Sequence, residues 1–152
     1  MSLIIDMEII TVKDKSFKPY ISEEKLNVSV KNVAAQINND YQNSEPVFLG
    51  VLNGSFMFFS DLLKSIDLAC NVFFVKLASY EGTNSTGKVN ELIGLNESIE
   101  GKDVIIVEDI VDTGITLENI IKDLSSNNPK SLKVATLLFK PNAYTKKYPI
   151  EK

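Results

Sequence analysis

Three acidic residues follow an apolar stretch of the chain at close spacing. Residues 104–107 are Val-Ile-Ile-Val, and Glu108, Asp109 and Asp112 come after them with no basic residue in between. Neighbouring carboxylates that lose part of their hydration repel each other, at a cost of roughly a few kcal/mol without a partner. The crowding of Glu108 and Asp109 therefore predicts a binding function better than it predicts a structural one.

The residues that follow are suited to binding an anion. Residues 113–116 are Thr-Gly-Ile-Thr, and an apolar pattern with helical spacing covers 116–126. The unpaired N–H groups of a helix start attract anions, glycine permits close backbone approach, and threonine adds hydroxyl donors. A polyol phosphate would fit both features, with its phosphate on the loop and its hydroxyls or Mg²⁺ on the acids. For Asp112 alone, a helix N-cap is the simpler interpretation.

Alternating strands and helices must position these residues. Apolar runs predict four buried strands, at 46–52, 71–80, 103–109 and 131–139. Helical periodicity predicts three helices, at 21–42, 56–66 and 116–126. This alternation favours an α/β fold with an open, mostly parallel twisted sheet and flanking helices. Such sheets bind ligands beyond the carboxyl ends of their strands, where the acids lie.

The composition narrows the classes of function. The chain has 152 residues, a net charge of -4, one cysteine, no histidine and no arginine. We expect one domain spanning 1–152 in the cytoplasm, with no disulfide framework, no membrane span and no nucleic-acid partner. Without histidine the commonest general base is excluded. Without arginine, a phosphate must be bound by backbone N–H groups, hydroxyls, lysine or a metal ion.

The stretch 104–116 resembles the phosphoribosyl diphosphate (PRPP) binding signature of type I phosphoribosyltransferases. The stretches 50–63, 78–89, 99–117 and 130–141 also fall in the order and spacing of hypoxanthine/guanine phosphoribosyltransferases. The resemblance covers nearly the whole chain from about residue 20. It implies a type I phosphoribosyltransferase-like fold, and purine salvage in which the 5-phosphoribosyl group of PRPP is transferred to a 6-oxopurine base, hypoxanthine or guanine. It also implies Mg²⁺ as the cofactor and a homodimer or homotetramer as the assembly.

The resemblance implies roles for residues of the acidic stretch. Glu108 and Asp109 would hold the ribose hydroxyls of PRPP, directly or through Mg²⁺, and Asp112 would be the general base near purine N7. The 5′-phosphate would be bound by the four loop residues Thr113, Gly114, Ile115 and Thr116.

Other segments complete the implied site. Pyrophosphate would bind at Asn53 and Gly54, and the exocyclic oxygen of the purine at Lys140, with the backbone of Ile110 beside the base. A lid over the reaction would begin at Ser79 and Tyr80. The polar loop that follows, residues 81–91, has the composition of a lid, although composition alone fits an ordinary surface loop equally well.

Two departures from the family pattern and two alternatives accompany this interpretation. The family often has lysine where this chain has Asn53. It also continues beyond the equivalent of Lys152, so we expect the C-terminal hood segment to be missing and residues 1–152 to bind PRPP with little transferase activity.

The alternatives are a PRPP- or nucleotide-binding regulatory module and a salvage enzyme that prefers xanthine. The absence of an added basic region favours an enzyme over a regulator.

Overall fold

A five-stranded sheet carries the fold of the computed structural model, which describes residues 9–79, 90–148 and 150. The elements are, in order, β1 (Ile10–Val12), β2 (Lys15–Phe17), α1 (Glu23–Asp40), β3 (Val47–Val51), α2 (Phe56–Leu63), β4 (Asn71–Ser79), β5 (Asn90–Ile93), β6 (Asp103–Val111), α3 (Ile115–Ser125) and β7 (Ser131–Phe139). The sheet has the order β5-β4-β3-β6-β7, and only its edge strand β5 is antiparallel to its neighbour. The predicted α/β fold with a mostly parallel sheet is therefore confirmed.

Helices cover both faces of this sheet. Apolar residues of α1 and α2 pack with Phe48, Ile105 and Val107 on one face, while those of α3 pack with Val104 and Ile106 on the other. Successive residues of a strand point to opposite faces, so a strand covered on both sides must be apolar at every position. This explains why residues 104–107 form an uninterrupted aliphatic run.

The start of α1 follows local capping chemistry. The Ser22 side chain accepts a hydrogen bond from the backbone N–H of Lys25, at 3.4 Å, and so caps the first turn of α1. Glu23 and Glu24 lie in the first turn, where carboxylates stabilise the positive end of the helix dipole. None of the helices in the described ranges is long and apolar enough to cross a membrane.

The structure differs from the sequence prediction at several places. Helix α1 is two residues shorter than predicted at each end, and α2 ends at Leu63, three residues before its predicted end. The hairpin of β1 and β2 was not predicted, and residues 90–91, assigned to the polar loop, begin β5. Strand β6 extends to Val111, two residues beyond the predicted end, so Glu108 and Asp109 are followed by two further strand residues. Its last residues pair with β7 up to Phe139, which explains the extension.

Candidate active site

Glu108 places a carboxyl group in a largely buried position near the end of β6. Its Oε2 atom is buried and has no hydrogen-bond partner among the described residues. Burial raises the pKa of this carboxyl from 4.5 to about 7, and the nearby charge of Asp109 adds to the rise. A buried carboxylate with an open acceptor atom is stabilised by a cation or by a hydroxyl donor. Glu108 is therefore suited to hold a ligand that supplies either one.

The carboxylate of Asp109 contacts a loop that is distant in the chain, at Gly54. Its Oδ1 atom accepts a hydrogen bond from the backbone N–H of Ile110 at 2.9 Å. Its carboxylate lies so close to Gly54 that a Cβ added to that glycine would be 2.6 Å from Oδ2. No side chain larger than that of glycine fits there without displacing the carboxylate. The predicted pyrophosphate loop and the predicted ribose-binding acids are thus adjacent in space.

The loop that contains Asn53 and Gly54 connects β3 to α2. Both residues are exposed, and the peptide bond between Leu52 and Asn53 is cis. Next to them, Ser55 is fully buried, and its hydroxyl donates a hydrogen bond of 2.7 Å to the carbonyl oxygen of Val51. This bond fixes the end of the loop to the end of the strand and leaves Asn53 and Gly54 facing solvent beside Asp109.

Asp112 forms an ion pair with Lys140. The Lys140 Nζ atom lies 2.9 Å from Oδ2 of Asp112, and both side chains are about half exposed, at 54% and 49%. The backbone N–H of Lys140 also donates to the carbonyl oxygen of Val111 at 3.0 Å, which anchors the end of β7 beside the end of β6. The residues predicted to act on the purine, 28 positions apart, therefore meet in one place.

The N-cap interpretation of Asp112 is wrong. The N-cap residue of α3 is Gly114, with a left-handed φ of 81°, and α3 begins at Ile115. Asp112 lies two residues before the cap, and its carboxylate faces Lys140. The left-handed backbone of Gly114 lets the chain turn from the strand into the helix without a capping side chain.

The loop predicted to bind an anion lies at the start of α3. The first helical hydrogen bond runs from the N–H of Glu118 to the carbonyl oxygen of Gly114, at 2.9 Å. The N–H groups of residues 115–117 therefore have no acceptor within the helix. The N–H of Ile115 reaches only the hydroxyl of Thr113, at 3.5 Å. A phosphate oxygen is the kind of acceptor that this arrangement favours.

A segment that the sequence interpretation did not assign to the site covers this loop. The backbone N–H and the hydroxyl of Thr145 both donate to the carbonyl oxygen of Thr113, at 3.2 and 3.3 Å. The ring of Tyr144 and the Cγ atom of Lys146 lie against Gly114, where a Cβ would clash with both. Gly114 is therefore needed both for its backbone angle and for this contact. No local sequence pattern predicts such long-range contacts.

The structure describes only some of the remaining residues that were predicted to belong to the site. The backbone N–H of Ile110, predicted beside the purine, is already bonded to Asp109. Ser79 is the last residue of β4, and Tyr80 lies outside the described residues, so the lid stays a prediction. A groove of about 570 Å³ between α1 and β7, lined by residues such as Tyr41 and Phe139, includes none of the predicted site residues.

The chemistry of the acids is compatible with magnesium. Within the residues that the structure describes, no group of three or more His, Cys, Asp or Glu side chains could hold a metal ion. Mg²⁺ does not require such a group, because it commonly binds one or two carboxylates together with substrate phosphates and water. Glu108, with its unpartnered buried oxygen, and the adjacent Asp109 have carboxylate oxygens of the kind that this mode needs.

Comparison of the sequence with known proteins agrees with the family that the sequence motifs resemble. Residues 22–152 match the family model described as "Phosphoribosyl transferase domain". A hypoxanthine-guanine phosphoribosyltransferase of Staphylococcus aureus (strain Mu50 / ATCC 700699) is 46% identical over 123 residues, which cover 80% of this chain and 69% of that protein.

Solved structures show the same similarity. A crystal structure of a hypoxanthine-guanine phosphoribosyltransferase from Bacillus anthracis has 37% identity and a TM-score of 0.74, covering 86% of this chain and 76% of that one. A hypoxanthine phosphoribosyl transferase from Trypanosoma cruzi has 29% identity and a TM-score of 0.77, covering 93% of this chain and 78% of that one.

Proposed function

Since the chain belongs to the phosphoribosyl transferase family, we propose that it is a purine salvage enzyme that acts on hypoxanthine and guanine. It transfers the 5-phosphoribosyl group of PRPP to the base and releases pyrophosphate, and the product is the nucleoside 5′-monophosphate. We propose that it does so in the cytoplasm, as a homodimer or homotetramer. The observation that carries the proposal is the contact of Asp109 with Gly54, because it brings together two sequence motifs that are each proposed to bind PRPP.

PRPP would extend across three adjacent features of the site. Its ribose hydroxyls would lie at Glu108 and Asp109, its pyrophosphate beside Asn53 and Gly54, and its 5′-phosphate on the loop 113–116. Three observations support this arrangement: the unpartnered Oε2 of Glu108, the exposed loop packed against Asp109, and the helix start capped by Gly114.

Glu108 and Asp109 would also hold Mg²⁺, together with oxygens of PRPP. When bound, Mg²⁺ neutralises part of the negative charge that develops on the leaving pyrophosphate. The carboxylates themselves stabilise the positive charge that the ribose acquires as its bond to pyrophosphate breaks. Binding of a cation would also keep Glu108 ionised, although burial alone raises its pKa to about 7.

Asp112 and Lys140 would act on the base. As the bond from the ribose C1′ to pyrophosphate breaks and the bond to the purine nitrogen forms, the purine must lose a proton, and Asp112 would accept it near N7. Lys140 would leave Asp112 and donate to the exocyclic oxygen of a 6-oxopurine. Adenine carries an amino group at that position, which would place a donor against a donor. The ion pair between the two side chains, at 2.9 Å, supports this division of roles.

The test is nucleotide formation from PRPP with hypoxanthine, guanine, xanthine or adenine in turn, measured on the natural full-length protein with Mg²⁺. We expect product with hypoxanthine and guanine and none with adenine. A preference for xanthine would refute the proposed base specificity while leaving the reaction intact. Binding of PRPP without nucleotide formation from any of these bases would refute the enzyme and favour a regulatory module.

A further inference from the structure

The segment that follows β7 lies across the loop proposed to bind the 5′-phosphate. Thr145 donates two hydrogen bonds to the carbonyl oxygen of Thr113 and is thereby fixed to the loop. The next residue, Lys146, runs alongside Gly114, and its Cγ atom is 2.9 Å from the position that a Cβ on this glycine would occupy. The aliphatic part of the lysine is therefore held at the turn from which α3 begins.

The ammonium group of Lys146 is paired within the first turns of α3. Its Nζ atom lies 2.6 Å from Oε2 of Glu118, and the lysine side chain is only 22% exposed, whereas that of Glu118 is 53% exposed. Such partly exposed pairs contribute little to stability, so this one can exchange partners at low cost. The carboxylate of Glu118 suits the positive end of the helix, which would also attract a phosphate.

The loop itself offers no cation to a phosphate. Residues 113–116 have uncharged side chains, and the chain contains no arginine. The preceding Asp112 is acidic, and Lys140 is paired with it. From the loop itself, a 5′-phosphate that bears close to two negative charges would have only backbone N–H groups and hydroxyls as ligands, and Lys146 is a cation held beside that loop.

We propose that Lys146 is a ligand of the 5′-phosphate and that Glu118 holds its ammonium group until the phosphate binds. The inference rests on the proposed function, because it takes the loop 113–116 as the phosphate site. When the phosphate binds at the N–H groups of residues 115–117, the flexible end of Lys146 turns from Glu118 toward the phosphate. The phosphate then replaces the carboxylate of Glu118 as the partner of the ammonium group. Lys146 would contact the 5′-phosphate and not the reacting C1′ atom. It therefore affects substrate affinity and not the chemical step.

The experiment measures binding of ribose 5-phosphate by calorimetric titration. Lys146→Met should weaken binding roughly ten- to a hundred-fold, the usual effect of losing a charge-assisted hydrogen bond. Lys146→Arg should retain most of the affinity. Glu118→Gln, which removes the competing carboxylate, should tighten binding by about two- to five-fold. Binding of pyrophosphate alone should be unchanged in all three variants, because it is assigned to the loop at Asn53.

Lys147→Met is the matched control, since it removes the same charge from the exposed neighbouring residue. Equal affinity of Lys146→Met and the wild type, or equal losses in Lys146→Met and Lys147→Met, would overturn the role of Lys146. If Lys146→Met melts at a lower temperature than the wild type, Glu118→Gln decides: tighter binding supports the proposal, and unchanged or weaker binding refutes it. A folded wild type that binds neither ribose 5-phosphate nor PRPP would instead refute the proposed function.

Discussion

Replacing Glu108 by glutamine should make the ligand-free protein more stable at neutral and alkaline pH. Burial, with the charge of Asp109, raises the pKa of Glu108 from 4.5 to about 7 in the folded state. Below pH 4.5 the carboxyl is protonated in both the folded and the unfolded state. As the pH rises from 4.5 to about 7, the unfolded state loses this proton first, so the free energy of unfolding of the wild type falls. Glutamine never ionises and therefore avoids this loss.

The magnitude follows from the width of the pH window. A pKa raised from 4.5 to about 7 corresponds to roughly 3 to 4 kcal/mol, at about 1.4 kcal/mol for each pKa unit. Because part of the side chain still reaches solvent, we expect about 1 to 3 kcal/mol of added stability for Glu108→Gln at about pH 8. At about pH 4.5 the two proteins should be almost equally stable.

Urea unfolding of both proteins across this pH range, without Mg²⁺ or PRPP, measures the difference. Glu45→Gln removes a carboxylate from an exposed position and controls for the change of net charge. A difference between Glu108→Gln and the wild type that is independent of pH would refute the argument. So would a variant that becomes less stable than the wild type as the pH rises.

Three further predictions concern the same loop and strand end. Replacing both Glu108 and Asp109 by alanine should abolish Mg²⁺-dependent PRPP binding in calorimetry without lowering the melting temperature; a large loss of stability would instead indicate a structural role for the acids. Asp112→Asn in the natural full-length protein should reduce turnover by roughly two to four orders of magnitude while PRPP still binds, and unchanged turnover would exclude Asp112 as the base. Gly114→Ala should lower the free energy of unfolding by about 1 to 3 kcal/mol, because of its φ of 81° and its contact with Tyr144; thermal melting equal to that of the wild type would contradict this.

The parts of the fold that were predictable are those with strong local patterns. The aliphatic run of β6 and the helical periodicity of α3 indicated the type and approximate bounds of these two elements. A strand or helix that packs against the core must be apolar at regular positions. The hairpin of β1 and β2 contains apolar residues, but each strand has only three residues, which is too short for a periodic apolar pattern. Strand β5 has only four residues and pairs at the edge of the sheet, so its polar start resembled a loop.

The candidate site was predictable where one stretch of sequence carries it. Glu108, Asp109 and the turn at Gly114 follow each other in the chain, and their chemistry could be inferred from residue types and order. The ion pair of Asp112 with Lys140 could not be inferred from residue types and order. An acid before a helix also fits an N-cap, and Lys140 is 28 positions away in the chain. The contact of Lys146 with Gly114 likewise depends on the path of the chain after β7.

The central claim, that the end of β6, the loop after β3 and the start of α3 form one PRPP site, is tested most directly by a crystal structure with PRPP and Mg²⁺. We expect the ribose hydroxyls within hydrogen-bonding distance of Glu108 or Asp109, directly or through Mg²⁺, with the pyrophosphate beside Gly54. The 5′-phosphate should lie on residues 113–116. PRPP bound elsewhere, for instance in the groove of about 570 Å³ between α1 and β7, with these acids free of ligand, would contradict the account.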